Sequence, residues 1–303
     1  MPKDDPKQRV YSYYLVGCAD VLGQSDIFRR HLKDVKDLGP LSAATCVQYE
    51  ARLLEAHENT VEIIEELDAD FLTFYDRAGQ RLSDIDLPEC LDAMRQFTLT
   101  YQRFSDSSFA YSPFFHIPDM KWLYPSIRAA FCAIAAHGYL VLKSLCRGKP
   151  IRGGMEIDFA TKLTGGGLYG PVCYQAHRLE KEVAKYPRIV IGDRLRRFLK
   201  FAEQEKLKIP NQRDEDVRAS RAAASRCLKM IAKDVDGQYI IDYMGDVMQE
   251  AVSGEIMVGL SNQAYEFAKS QHSRWKEDDN YELAGRYHML MNYLRQSGRL
   301  GPG

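Results

Sequence analysis

The chain has almost no net charge: 41 Lys and Arg stand against 42 Asp and Glu over 303 residues, leaving −1. That balance supplies neither the basic coat of a nucleic-acid binder nor a polybasic membrane anchor, so neither partner is expected. Long apolar runs are missing too. The longest uncharged apolar stretch, AAFCAIAAHGYLVL from Ala129 to Leu142, falls short of the roughly 20 residues of a membrane span and reads as a buried helix. The amino terminus, MPKDDPKQRV, carries five charges and two prolines with no apolar run of signal-peptide type behind it. Seven cysteines form no CxxC pair and are odd in number, so neither a zinc knuckle nor a disulfide framework is suggested. Reduced, buried thiols in a cytoplasmic protein are the expectation. No internal repeat or low-complexity linker divides the chain.

What is present begins with YYLVGCADVLGQSD, Tyr13 to Asp26, which starts as a buried strand and then places Asp20 between Ala19 and Val21. A carboxylate in apolar surroundings costs several kcal/mol, roughly, unless it is paired or binds a metal. Its partner has to come from elsewhere in the chain. VQYEARLLEAHENTVEIIEEL repeats apolar residues at helix spacing, and LPECLDAMRQF continues with another short helix. TLTYQRFSDSSFAYSPF reads as two strands joined by a tight turn at Ser105 to Ser108, with Asp106 in the turn. A helix from about Met120 to Leu145 follows, stopped by CRGKP.

PIRGGMEIDFATKLTGGGLYG reads as a second pair of strands around a Gly165 to Gly167 connection, VCYQAHRLEKEVAKY as helix, and PRIVIGD as a short strand. The last third brings a charged helical insertion, about 195–233, an Asp236-Gly237 turn leading into a strand, helix from Gln249 to about Leu294, and a loose GRLGPG tail. Strands alternating with helices, with hairpins among them, indicate the α+β class. The organisation expected is a catalytic domain over 1–250 and a C-terminal helical extension over 251–303.

Two acids at the ends or turns of neighbouring strands can hold a pair of divalent cations on triphosphate oxygens, the arrangement used for in-line displacement at phosphorus. Asp20 and Asp106 suit it: each lies in or beside an otherwise apolar or aromatic strand, and pairing of those strands would bring the carboxylates to one edge of the sheet. Taken singly, an acid in a hairpin turn is usually a turn former.

On these residues the chain resembles the class III nucleotidyl cyclases. CADVLG is similar to that family's first metal-binding strand, with Asp20, Val21 and Gly23 matching and Cys18 departing, and FSD resembles the Gly-Asp turn of the second metal acid at Asp106. IRGGMEI followed by YGPVCYQAHRLEKEVAKYPRIVIGD looks like the family's later hairpin and helix, so the likeness covers about residues 12 to 193. It implies a mixed, largely antiparallel sheet packed by helices, and Mg²⁺ or Mn²⁺ held by Asp20, Asp106 and the Val21 carbonyl. It also implies a homodimer in which Arg178 of one subunit stabilises the transition state in the other. Where the family has an Asn one helical turn before that arginine, this chain has Tyr174.

Gln102 and Pro171 stand where purine-using relatives read the base, and proline offers neither a side-chain donor nor an N–H. In this the chain resembles the bacterial Pycsar cyclases, antiphage enzymes that make cyclic UMP or cyclic CMP. The resemblance implies UTP as the first substrate and CTP as the second. Tyr49, Gln102 and Arg103 are candidate pocket walls; Gln102 and Arg103 occupy adjacent strand positions, so at most one faces the base. Two rivals stand beside this reading: an inactive cyclase fold that binds a nucleotide or a partner protein, and a purine cyclase with an unusual pocket. TGGGLYG lacks a Walker lysine and reads as a hairpin connection, and His116, His137 and His177 as structural histidines without ligand-like spacing.

Overall fold

The computed structural model describes residues 11–23, 43–90, 94–115, 123–164, 166–207, 212–252 and 254–296. The N-terminal decapeptide, His116, Gly165 and the GRLGPG tail lie outside the described residues, as does the side chain of Tyr49.

One mixed sheet of eight strands organises the chain: β1 (Tyr11–Val21), β2 (Thr100–Phe104), β3 (Ser107–Phe115), β4 (Ile151–Lys162), β5 (Leu168–Tyr169), β6 (Ile189–Ile191), β7 (Ile231–Lys233) and β8 (Tyr239–Ile241). The order is β2-β3-β1-β4-β6-β8-β7, with β5 paired to β4 beside this path. All pairings are antiparallel except β4 with β6. The helices are α1 (Ala43–Gln80), α2 (Tyr124–Cys146), α3 (Pro171–Arg178), α4 (Asp193–Glu203), α5 (Asp214–Lys229), α6 (Asp246–Val252), α7 (Gly254–Glu277) and α8 (Tyr281–Gln296). A π-helical turn, Leu179–Val183, extends α3. The architecture is mixed α and β, in keeping with the α+β expectation.

Alternation along β1 separates the two faces. Leu15, Ala19 and Val21 join the main core with Leu67 and Phe71 of α1 and nearly the whole of α2. Tyr14, Val16 and Cys18 face the other way and pack with Tyr111 beneath Val172 and Ala176 of α3. Gly154 makes that second layer close: a Cβ there would lie 2.4 Å from the Ala176 carbonyl oxygen. Among the described helices, α2 alone is long and apolar enough to cross a membrane, and 83% of its most apolar window is buried within the fold. It is the core helix that its composition suggested. Its amino end is capped from a distance: the Leu123 and Tyr124 amides both donate to the buried Asp216 carboxylate at 3.0 Å. Gly148, at φ +67°, takes the chain out of its far end.

Two expectations change. LPECLDAMRQF begins and ends in 3₁₀ turns, Pro88–Cys90 and Arg95–Phe97, with Met94 α-helical and 91–93 outside the described residues; the Cys90 amide reaches back three residues to Leu87 at 2.9 Å. The charged segment 195–233 ends as a strand, because the backbone of Ile231 to Lys233 pairs antiparallel with β8 in register with Ile241 to Tyr239. The C-terminal helices share the main core, to which they contribute Ala264, Ala268, Leu290, Met291 and Leu294.

Candidate functional site: an acidic strand end in a basic cleft

The central strand β1 carries the site at its end. Asp20 pairs in register with Ser107 of β3 on one side and Arg152 of β4 on the other, so all three project from the same face as α3. The β2–β3 hairpin turns through Ser105, at φ +58°, and Asp106. Its carbonyl accepts from the Val21 amide at 3.2 Å and from Arg103 Nη1 at 3.3 Å. The backbone of Asp106 is thereby fastened to the end of β1, and its carboxylate shares a cleft with Asp20. Two residues 86 positions apart in sequence meet because β3 pairs beside β1 and the turn falls where β1 stops.

Asp20 accepts a hydrogen bond from Ser107 Oγ at 2.7 Å. Burial pushes its pKa up; the Ser107 hydroxyl works against that shift and the Asp106 charge adds to it. Arg152 is already engaged, donating from Nε to Oε1 of the buried Glu180 at 2.7 Å. The second Glu180 oxygen lies 3.3 Å from His177 Nδ1. Burial raises the Glu180 pKa, which Arg152 lowers and Asp20 raises further. Asp20 thus has a hydroxyl, a neighbouring acid and a competed-for arginine, and no ion pair of its own among the described residues.

The cleft encloses about 490 Å³, within the range of small-molecule sites. Besides Asp20, Val21 and Asp106 it is walled by Lys149, Arg152 and Lys185 from the sheet side and by α7 and α8, which contribute Arg274, Trp275, Arg286 and Tyr287. Two carboxylates and a backbone carbonyl form an all-oxygen donor set, the kind hard divalent cations take.

The other expected site residues are distributed around this centre. Arg103 turns to the α1 side, where it pairs with Asp68. Gln102 lies on the opposite face and donates to the Gly166 carbonyl at 3.1 Å, so the pleat separates the two as their adjacent positions require. Pro171 opens α3 and is exposed. Tyr174 is 64% exposed, and half-buried Arg178 donates from Nε to Gln175 Oε1 at 3.2 Å. None of these five lines the cleft of its own chain's acids. Cys18, His177 and Glu180 bring their ligand atoms within 4.8 Å of one another, a proximity hidden in the sequence because Cys18 is on β1 and the others surround the end of α3. His137 is a core residue, its Nδ1 2.7 Å from the Ala133 carbonyl oxygen, and burial lowers its pKa to about 4.

The cations of the cleft carried no legible signal. Arg152 could have been found from its register with Asp20 once the β1–β4 pairing was known. Arg274 and Arg286 sit in charged helical stretches that look like ordinary solvated faces. No protein-family model, curated protein or solved structure matches this chain.

Proposed function

We propose that this protein is a nucleotidyl cyclase of the class III kind, closing UTP, or secondarily CTP, to the 3′,5′-cyclic monophosphate with release of pyrophosphate. The cyclic pyrimidine nucleotide would serve as a second messenger in antiphage defence, as the resemblance to the Pycsar cyclases implies. The observation that carries the reading is the meeting of Asp20 and Asp106 in one cleft whose other walls are basic.

The donor set fits Mg²⁺ or Mn²⁺ at Asp20, Asp106 and the Val21 carbonyl, which when bound would favour ionisation of the ribose 3′-hydroxyl and neutralise charge on the departing pyrophosphate. Burial raises the Asp20 pKa, and a cation held there would lower it. Lys149, Arg152 and Lys185 hold the triphosphate against the strand ends and so align the α-phosphorus with the 3′-oxygen. Arg152 exchanges Glu180 for phosphate oxygen as the nucleotide enters.

Arg178 acts on the neighbouring subunit's nucleotide and steadies the charge that develops on the transferred phosphoryl group. Two features support a homodimer on this face. The α3 layer covers the sheet only in part, leaving Phe104 80% exposed, and Tyr174, one helical turn before Arg178, stands 64% exposed. Large exposed aromatics grouped on one face are typical of protein interfaces. The exposure of Tyr174, in place of a ribose-positioning Asn, equally favours the second reading: a cyclase fold that binds nucleotide without turnover.

Incubating the purified protein with each of the four nucleoside triphosphates and Mn²⁺, then separating and weighing the products, tests the proposal. Cyclic UMP or cyclic CMP with pyrophosphate is the expected result. Preferential cyclisation of ATP or GTP would overturn the pyrimidine assignment, and no cyclic product from any of the four would overturn catalysis.

A further inference from the structure

We infer that the α7–α8 hairpin is a polyphosphate clamp: Arg274 and Arg286 bind the distal phosphates of the ligand whose metal-binding end lies at Asp20 and Asp106. The identity of the ligand as a nucleoside triphosphate rests on the function proposed above; the clamp itself rests on geometry and charge.

Placement is the first argument. Phe267, Gln271, Arg274 and Trp275 recur at intervals of four, three and one along α7, and Leu283, Arg286 and Tyr287 at three and one along α8, so each helix turns one continuous stripe into the cleft. That stripe faces the strand end bearing the two acids. The hairpin is no loose appendage, because Ala264, Ala268, Leu290 and Leu294 are fully buried in the main core. Rigid elements therefore hold both guanidinium groups over the site.

Charge is the second. Five cations, Lys149, Arg152, Lys185, Arg274 and Arg286, share the cleft with two carboxylates. Divalent cations on Asp20 and Asp106 would leave the cleft strongly positive, a balance that a highly charged anion restores. The Lys185 side chain has no hydrogen-bond or ion-pair partner among the described residues; its backbone amide alone donates, to the Val183 carbonyl at 2.9 Å.

Availability is the third. Among the described residues Arg274 has one ion pair, with Asp278 just past the end of α7 at 3.9 Å, and Arg286 one with Glu282, one turn back. The acids are 54% and 77% exposed, and such surface pairs, screened by solvent, hold weakly. Each arginine can leave its carboxylate at little cost. Its planar fork then offers two parallel donors to phosphate oxygens, a stronger contact than the pair it gives up. The Arg274 guanidinium also lies 5.0 Å from the Trp275 ring centroid, which restricts its path and keeps it over the cleft.

The probe is inorganic tripolyphosphate, titrated calorimetrically into the 303-residue protein with Mn²⁺ present. The wild-type protein is expected to bind it, and the double variant Arg274→Gln, Arg286→Gln to bind it more weakly by about tenfold or more per guanidinium removed. Arg221→Gln, whose equally exposed pair with Glu205 lies outside the cleft, is expected to bind like the wild type. A variant-free measurement accompanies it: tripolyphosphate should protect Arg274 and Arg286 from dicarbonyl modification mapped by mass spectrometry. Failure of the wild type to bind, equal binding by the double variant, an equal loss in Arg221→Gln, or absence of protection would each overturn the clamp. Nucleotide turnover is scored separately. Clamp-dependent binding without any cyclic product would end the cyclase reading and leave the clamp standing, whereas turnover with unchanged binding in the double variant would end the clamp alone.

Discussion

Around Arg188 and around Arg152 the sheet gathers similar ingredients, an arginine and acids at a strand end, and disposes of them differently. Arg188 is 1% exposed and spends its donors inside the protein: on Asp234, on Asp236 at 2.6 Å and on the Val183 carbonyl at 2.9 Å. Tyr186 adds its hydroxyl to Asp234. Burial opposes charge on Asp236, but the hydrogen bond and charge of Arg188 together with the Gln238 amide outweigh it, and the Asp236 pKa falls below the ordinary carboxylate value. At the other place Arg152 is drawn away to Glu180, and Asp20 is left with burial and a second acid, so its pKa rises. One network pairs its charges within the fold and holds β6 to the β7–β8 hairpin. The other leaves Asp20 and Asp106 without an ion pair among the described residues, at the wall of a cleft open to a ligand, which is why a set of charged groups is structural in one place and a candidate site in the other.

Substitutions can break this contrast from either side. The largest effect is expected at Asp106→Asn, which keeps the turn and removes the charge: turnover of the preferred nucleotide falls by about 10²–10³-fold or more, while the melting temperature of the metal-free protein changes little. Initial rates and a thermal scan on one preparation check both halves. The mirror experiment is Asp234→Ala. Leaving the buried Arg188 short of a partner lowers the unfolding free energy by about 3–5 kcal/mol, read from denaturant titration, while the rate per folded molecule is retained.

The contrast sharpens further at the subunit level. Asp20→Ala and Arg178→Ala proteins are each expected to be inactive. Co-expressed and freely exchanging, they form mixed dimers with one intact site, and roughly a quarter of wild-type activity returns. Isolating the mixed species through two tags and finding no activity above either parent would refute a shared site.

The smallest effect is one of pH. Because the folded-state pKa of Asp20 is raised, the folded protein without metal is weakened as pH climbs from the ordinary carboxylate value through that raised pKa. Asp20→Asn, whose amide oxygen can still accept from Ser107, is therefore expected to melt higher than the wild type at neutral pH without metal. The gap closes on acidification below the ordinary carboxylate range, and added Mn²⁺ raises only the wild type. Thermal scans across pH with and without Mn²⁺ measure all three.

The acids of the site were legible because each broke a local pattern: Asp20 interrupts a buried strand, and Asp106 sits in a turn between two aromatic strands. The cations were not, because an arginine such as Arg274 or Arg286 beside an acid one helical turn away has the spacing of any solvated helix face. The 3₁₀ turns at Pro88–Cys90 and Arg95–Phe97 mark a similar limit, since a short apolar spacing does not decide between a three-residue and a four-residue hydrogen-bond ladder.

Local chemistry alone settled where strands and helices run along most of the chain, that α2 is buried, and that Asp20 needs a partner, because side-chain periodicity, turn residues and the cost of a buried charge act over a few residues. Tertiary structure alone decided that β3 lies beside β1, so that Asp106 is fastened to the end of the strand bearing Asp20. It also decided that Glu180 takes Arg152 and that the last two helices close the cleft with their arginines. Those outcomes depend on which distant faces are buried together, a competition among whole elements that no local spacing records.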